Sequence, residues 1–316
     1  MDRKMIIRMT LSVVALALMA AGADLLGERE VIFPEVAALA IGLWTADRLV
    51  WNVHAREVPL LMTLSAVIGV LITRHVGAPV LVQLTMAFAV SALLMTTLRI
   101  PLIPSIAAIL LPILLNTQSW LYPASVAVMT SIMAAGVGLL QRAGLKATIA
   151  PVGPREGFTR HALLEWAWRY VLLLPLLAVA TSAGWLFAIV PPLVIILIEL
   201  TNTKNMFRNR PLPLWATAVA VAAMGTASRW LVVETLSLPY AVAVSVAFAA
   251  ALALMWKAKM MFPPIPALAV IPFILPSNYM LFPLEVALGA AYAIVVPLVA
   301  TSLRQQASRV HTSNSL

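Results

Sequence analysis

An all-α, polytopic membrane protein with about twelve transmembrane segments, arranged as two parallel six-segment repeats, is the fold class this sequence predicts. Three observations predict it: the composition, the spacing of the apolar runs, and the placement of arginine and lysine. Of 316 residues, 62% are hydrophobic and 10% are charged, against about 25% charged in an ordinary soluble domain. A soluble fold of this size has too little interior to hide that much apolar surface. The absence of cysteine removes disulfides, zinc-thiolate centres and cysteine nucleophiles.

The runs come in order. Stretches long enough to approach the ~30 Å hydrocarbon layer lie near 5–24, 33–51, 58–74, 79–98, 101–116 and 120–141. After a polar interval come 163–183, 185–201, 212–230, 239–256, 263–277 and 280–302. The first run follows a basic start and could pass for a secretory signal, but it has a counterpart in the second set and is read as a first transmembrane helix. The domain division is therefore 1–141, a basic linker 142–162, a second membrane unit 163–303 and a tail 304–316.

The charges fix the expected orientation. With the N-terminus in the cytoplasm and twelve alternating crossings, Arg29, Arg74 and Arg229 face outside and the other eighteen of the 21 basic residues face inside. Cytoplasmic loops collect lysine and arginine in this way. The net charge of +9 is then a topology signal whose partner is anionic lipid, and nucleic acid is excluded as a partner. A bacterial inner membrane, with both termini and the linker cytoplasmic, is the expected location.

Two stretches break the pattern. "RIPLIPSIAAILLPILLN" (99–116) and "MFPPIPALAVIPFILPSN" (261–278) are apolar but studded with proline, and both end on asparagine. Proline inside a helix costs about 3 kcal/mol or more, and sixteen residues of helix reach only about 24 Å. Each is expected to be a short, broken crossing, since a re-entrant loop would move the basic linker outside. The P-x-x-P pairs Pro101/Pro104 and Pro263/Pro266 match at an offset of 162, and Gly69 and Arg74 precede one as Gly225 and Arg229 precede the other. The repeated placement points to duplication. Halves with an even number of crossings run parallel, related by an axis along the membrane normal.

The stretch "FPPIPALAVIP", preceded by "RNRPLPLWATAVAVAAMG", resembles the signature of the HPP family of integral membrane proteins, in which a His-Pro-Pro triplet leads into small and apolar residues. "RIPLIPSIAAILLP" is a weaker copy, so the chain resembles two fused HPP units, with Phe262 and Ile100 standing where the family has histidine. The resemblance implies a transporter. A looser similarity, in pattern and loop charge, is to the membrane module of fusaric-acid and aromatic-acid exporters.

Broken backbone at membrane depth must be buried in protein or line a watery route. The expected route residues are Pro101, Pro104, Ser105 and Asn116, with Pro263, Pro264, Pro266, Pro272 and Asn278. The helix starts at Pro101–Ser105 and Pro263–Ala267 would offer positive dipole ends to an anion. Glu35, Glu199 and Glu285 are candidate ion or proton sites, because membrane carboxylates are costly and usually functional; Glu35 and Glu285 would equally serve as helix-start carboxylates. Glu165 and Arg169, four apart, should face each other on one helix. The four histidines have no metal spacing, no enzyme motif is present, and neither cofactor nor metal is expected. The expected function is passage of a small solute, an anion or organic acid by preference, with a non-transporting scaffold as the rival. Homo-oligomerisation is left open.

Overall fold

The computed structural model describes residues 2–275 and 278–313. Pro276 and Ser277 of the second proline stretch and residues 314–316 of the expected tail lie outside the described residues. In chain order the helices are α1 (Arg3–Leu26), α2 (Glu35–Leu39, widening into a π-helical turn Ala40–Thr45), α3 (Glu57–His75), α4 (Val80–Leu98), α5 (Ser105–Leu115) and α6 (Leu121–Arg142). After the linker come α7 (Arg160–Ala183), α8 (Pro191–Thr201), α9 (Pro211–Ser228, widening over Arg229–Thr235), α10 (Tyr240–Ala258), α11 (Ala267–Val270, tightening over Ile271–Phe273) and α12 (Phe282–Ser313). Among the described residues there is no strand, and eight helices are long and apolar enough to cross a membrane. The fold is all-helical and its composition is that of an integral membrane protein.

Four helices are short, two more than the proline stretches alone indicate. The runs 33–51 and 185–201 also shrink, to α2 with its wide turn and to α8. Local sequence explains both. Pro34 starts one, and Pro191 and Pro192 occupy the first turn of the other, where a missing N–H costs nothing. Residues 46–56 then leave the helix altogether, so Trp51 folds back under Gly42.

Burial divides the two groups. Every residue of α5 from Ser105 to Ile113 is buried, as are Pro191–Ile198 of α8 and Ala267–Phe273. The long helices instead turn leucine and valine outward, among them Leu18, Leu60, Val128, Val179, Leu284 and Val299. Lipid can cover an apolar side chain but cannot satisfy a loose backbone N–H or C=O. The long helices therefore form the wall, and the four short ones sit inside it, where protein can reach their ends.

The packing crosses the two halves. α1 packs on α10 and α4 on α7, while within each half α3 meets α5 and α6, and α9 meets α11 and α12. The tips gather at two ends. At the linker end Arg8 pairs with Asp47 at 2.6 Å, Arg155 with Glu57 at 2.8 Å, and Asn52 exchanges hydrogen bonds with Val152. At the far end Asp24 accepts from the N–H groups of Tyr240 and Ala241, and Ser125 donates to the carbonyl of Val31.

The linker is strapped to the loop 46–57: Lys146 donates to the carbonyl of Ala46, and Asn52, Glu57 and Arg99 hold Val152 and Arg155. Burial, with Arg8 nearby, pushes the Lys146 ammonium down to about 8. The tail is helical as far as Ser313, as a continuation of α12. Glu165 takes Arg304 as its partner at 2.7 Å, while Arg169 donates to Thr201 and lies over Trp166. The α4–α7 contact explains this: Phe88 packs against Trp166 and Tyr170, drawing that face into protein.

Candidate functional site

The four short helices form two buried pairs across the division between the halves: α5 packs against α8, and α11 against α2. The approach to each proline helix is built alike. Leu102 N–H donates to the Ile100 carbonyl at 2.8 Å, and Phe262 N–H to the Met260 carbonyl at 2.7 Å. These three-residue turns let the chain pass Pro101 and Pro263 before helix begins at Ser105 and Ala267. Just ahead, Arg99 and Lys259 end α4 and α10 in left-handed conformations, at φ 54° and 53°.

Each proline helix lies against a glycine. A Cβ at Gly69 would come within 2.5 Å of the Ile109 carbonyl oxygen and 2.8 Å of the Pro112 ring. A Cβ at Gly225 would come within 2.3 Å of the Ala269 carbonyl oxygen. Contact this close is open only to glycine, and it fixes where the broken helices sit.

Beyond them, at the far end, opens a cavity of about 370 Å³. Its wall takes Leu111, Pro112 and Leu115 from the end of α5, Ile274, Leu275 and Asn278 from beyond α11, and Leu186 and Phe187 from the turn before α8. Arg29, Glu30, Thr117 and Tyr122 supply its polar groups with Asn278. The cavity thus meets the carbonyl ends of the two proline helices.

The expected route residues divide accordingly. Asn278 lines the cavity. Pro104, Ser105, Pro263, Pro264, Pro266 and Pro272 are buried in protein, Pro101 is half-buried, and none of them lines this cavity. The positive helix starts are correspondingly inside the packing, not at the cavity. Ser105 is fully buried and its hydroxyl has no partner. Asn116 is exposed and ends α5 at φ 54°, a conformation that asparagine tolerates better than other non-glycine residues. Its position in the sequence has a local conformational reason.

The three carboxylates also separate. Glu285, in the first turn of α12, accepts from the Phe187 N–H at 2.8 Å and so satisfies the tight turn before α8. Glu199 is half-buried near the linker end, facing Trp51, Arg169 and Asn205. Glu35, in the first turn of α2, is 0% exposed, and its carboxyl oxygens find no donor except its own backbone N–H.

Arg229 is the site residue that motif reasoning passed over. It is 3% exposed, and its guanidinium donates to the carbonyls of Pro272 and Leu275 (2.8 Å for the latter). It lies 3.8 Å above the Tyr279 ring and 3.4 Å from the Glu234 carboxylate. Two carbonyls left open where α11 ends are thereby given a donor. A signal for it was present: Arg29 and Arg229 are two of the three arginines that the charge count of the sequence sets apart from the other eighteen basic residues. One lines the cavity, and the other holds the helix that ends beside it. No protein family, curated protein or solved structure matches this chain.

Proposed function

We propose that the protein is a membrane transporter or channel for a small solute, moving it between the two halves by way of the far-end cavity. The observation that carries this reading is the burial of four short helices, paired across the two halves, with a cavity lined by the ends of the two proline-broken ones. A structure built only for packing has no need to concentrate proline-broken backbone at its centre, where every freed group requires a partner. Arg29 at the cavity, beside Tyr240 at 5.5 Å, makes a carboxylate or other small anion the first solute class to test.

In this reading the chain is a parallel duplication, two units resembling HPP proteins, with twelve crossings and both termini and the linker cytoplasmic in a bacterial inner membrane. Support comes from paired local features: Gly27 and Gly184 end α1 and α7 at φ 68° and 73°, Arg99 and Lys259 end α4 and α10, and Gly69 and Gly225 seat the proline helices. Reporter fusions after Arg160 and at the C-terminus are expected to report cytoplasm together. Fusions in the loops at Gly77 and Leu238 should report the opposite side. A split between the first pair would overturn the twelve-crossing arrangement.

The direct test of function is flux through purified protein in liposomes, screened over small anions and organic acids. Flux is expected, and it should fall when Asn278→Leu or Thr117→Val removes a polar group from the cavity wall. Absence of flux for the whole screen, with the protein correctly inserted, would turn the assignment to a non-transporting scaffold.

A further inference from the structure

Glu35 stands out among the buried polar groups because nothing around it answers its charge. The carboxyl belongs to a side chain that is 0% exposed, and neither oxygen reaches a donor beyond its own backbone N–H. Its neighbours are accounted for element by element. The residues of α11, Ala267–Val270, are all apolar. On α1, Arg8 is taken by Asp47 and Asp24 by the N–H groups of Tyr240 and Ala241. On α6, Tyr122 is the titratable group close enough to interact electrostatically with Glu35. Its hydroxyl donates to the Ala108 carbonyl at 3.0 Å.

An ionised carboxylate without a partner in an apolar interior is very costly, whereas the neutral acid is much less so. The surroundings therefore fit a carboxyl that carries a proton. Two further facts link this carboxyl to the cavity wall. Tyr122 lines the far-end cavity, and Phe33, two residues before Glu35, packs edge-on against Tyr122 at 6.0 Å. The element bearing Glu35 is itself one of the four short helices, packed against α11 across the two halves. A shift at that contact would hydrate the carboxyl and release its proton.

We propose that Glu35 is a proton-binding site that couples proton movement to solute passage: a proton from cavity water binds the carboxylate, is sealed in the arrangement seen here, and leaves when the α2–α11 contact opens. This inference rests on the transport reading above. It assigns the coupling to Glu35 alone: the Phe187 N–H holds the Glu285 carboxylate, and Glu199 is only half-buried and does not line the cavity.

The test uses the full chain in two assays. Infrared difference spectra of the reconstituted protein, taken across pH, should show a protonated-carboxyl C=O band in the parent that Glu35→Gln removes and Glu35→Asp displaces. In liposomes, a pH gradient should accelerate solute flux through the parent and through Glu285→Gln, and should have no effect on Glu35→Gln. A band that survives Glu35→Gln overturns the proton site. If that variant does not insert, a band unmoved by Glu35→Asp overturns it instead. Loss of the band with an unaltered gradient response overturns the coupling while leaving transport in place. A parent that moves no solute, with the band still lost in Glu35→Gln, overturns the transport reading and with it the coupling.

Discussion

Gly225→Val and Gly69→Val are each expected to abolish the folded bundle or cut its thermal stability sharply. Ordinary overpacking in a core costs about 1–3 kcal/mol because a flexible side chain can move aside. Here the obstacle is backbone. A Cβ at Gly225 would meet the Ala269 carbonyl oxygen at 2.3 Å and its Cα at 2.8 Å, and one at Gly69 would meet the Ile109 carbonyl oxygen at 2.5 Å. Neither proline helix can retreat, since α11 is backed by α2 and α5 by α8. Gly138 provides the contrast, because a Cβ there meets nothing within 4 Å. Gly138→Ala should stabilise by up to about 1 kcal/mol through helix propensity. Melting curves in detergent, with size-exclusion profiles to score folding, measure all three. A Gly225→Val protein that elutes and melts like the parent would remove the close approach of α9 and α11 from the fold.

Arg229→Met is expected to destabilise the second half strongly, and Arg74→Met only slightly. Arg229 is buried and satisfies two carbonyls at the end of α11. Removing it leaves both without a donor, and a buried unsatisfied group costs about 1–3 kcal/mol. Arg229→Lys should recover part of the loss, since an ammonium keeps the charge but lacks the planar fork that can reach two acceptors while stacking on Tyr279. Arg74 occupies the matching place in the sequence of the first half, yet it is exposed and lies 5.3 Å over Trp120. A surface contact of that kind is worth about 0.5–1 kcal/mol. Limited proteolysis of the loop beyond Phe273, followed with the melting temperature, separates the variants. Equal stability for Arg229→Met and Arg74→Met would mean that the end of α11 finds its donors elsewhere.

The asymmetry bears on how the two halves work together. In the first half, α5 continues through Pro112 to Leu115 and closes itself with the left-handed Asn116, whose neighbour Thr117 donates its N–H to the Pro112 carbonyl at 2.8 Å. In the second half the helix stops after two turns at most, and an arginine from α9 takes up the loose carbonyls. The two ends beside the cavity are therefore held differently, one by its own backbone and one by a charged side chain.

What the sequence determined by itself was the environment, the helical class and the position of the breaks. Composition requires a lipid-covered exterior because apolar surface of this extent cannot be hidden in a soluble fold. Single prolines are carried inside helices at Pro112, Pro175 and Pro297. The clustered prolines Pro101 and Pro104, and Pro263, Pro264 and Pro266, instead hold the helix starts back to Ser105 and Ala267, since the missing N–H and fixed φ are local properties; hence the stretches 101–116 and 263–277 are short in the structure as in the sequence reading. Only tertiary structure decided what surrounds each polar group. Glu35 and Glu285 read alike, as carboxylates shortly after a proline, but a backbone N–H from another element reaches Glu285 and none reaches Glu35. The shortening of the runs near 33–51 and 185–201, the seat of α11 on Gly225, and the partner of Arg229 likewise depend on which helices meet. Hydropathy records how much a segment wishes to leave water, and in a membrane lipid and protein serve that wish equally well. The sorting of short helices inward and long ones outward rests instead on the exposed backbone groups at the ends of the short helices, which are satisfied only once the neighbours are in place.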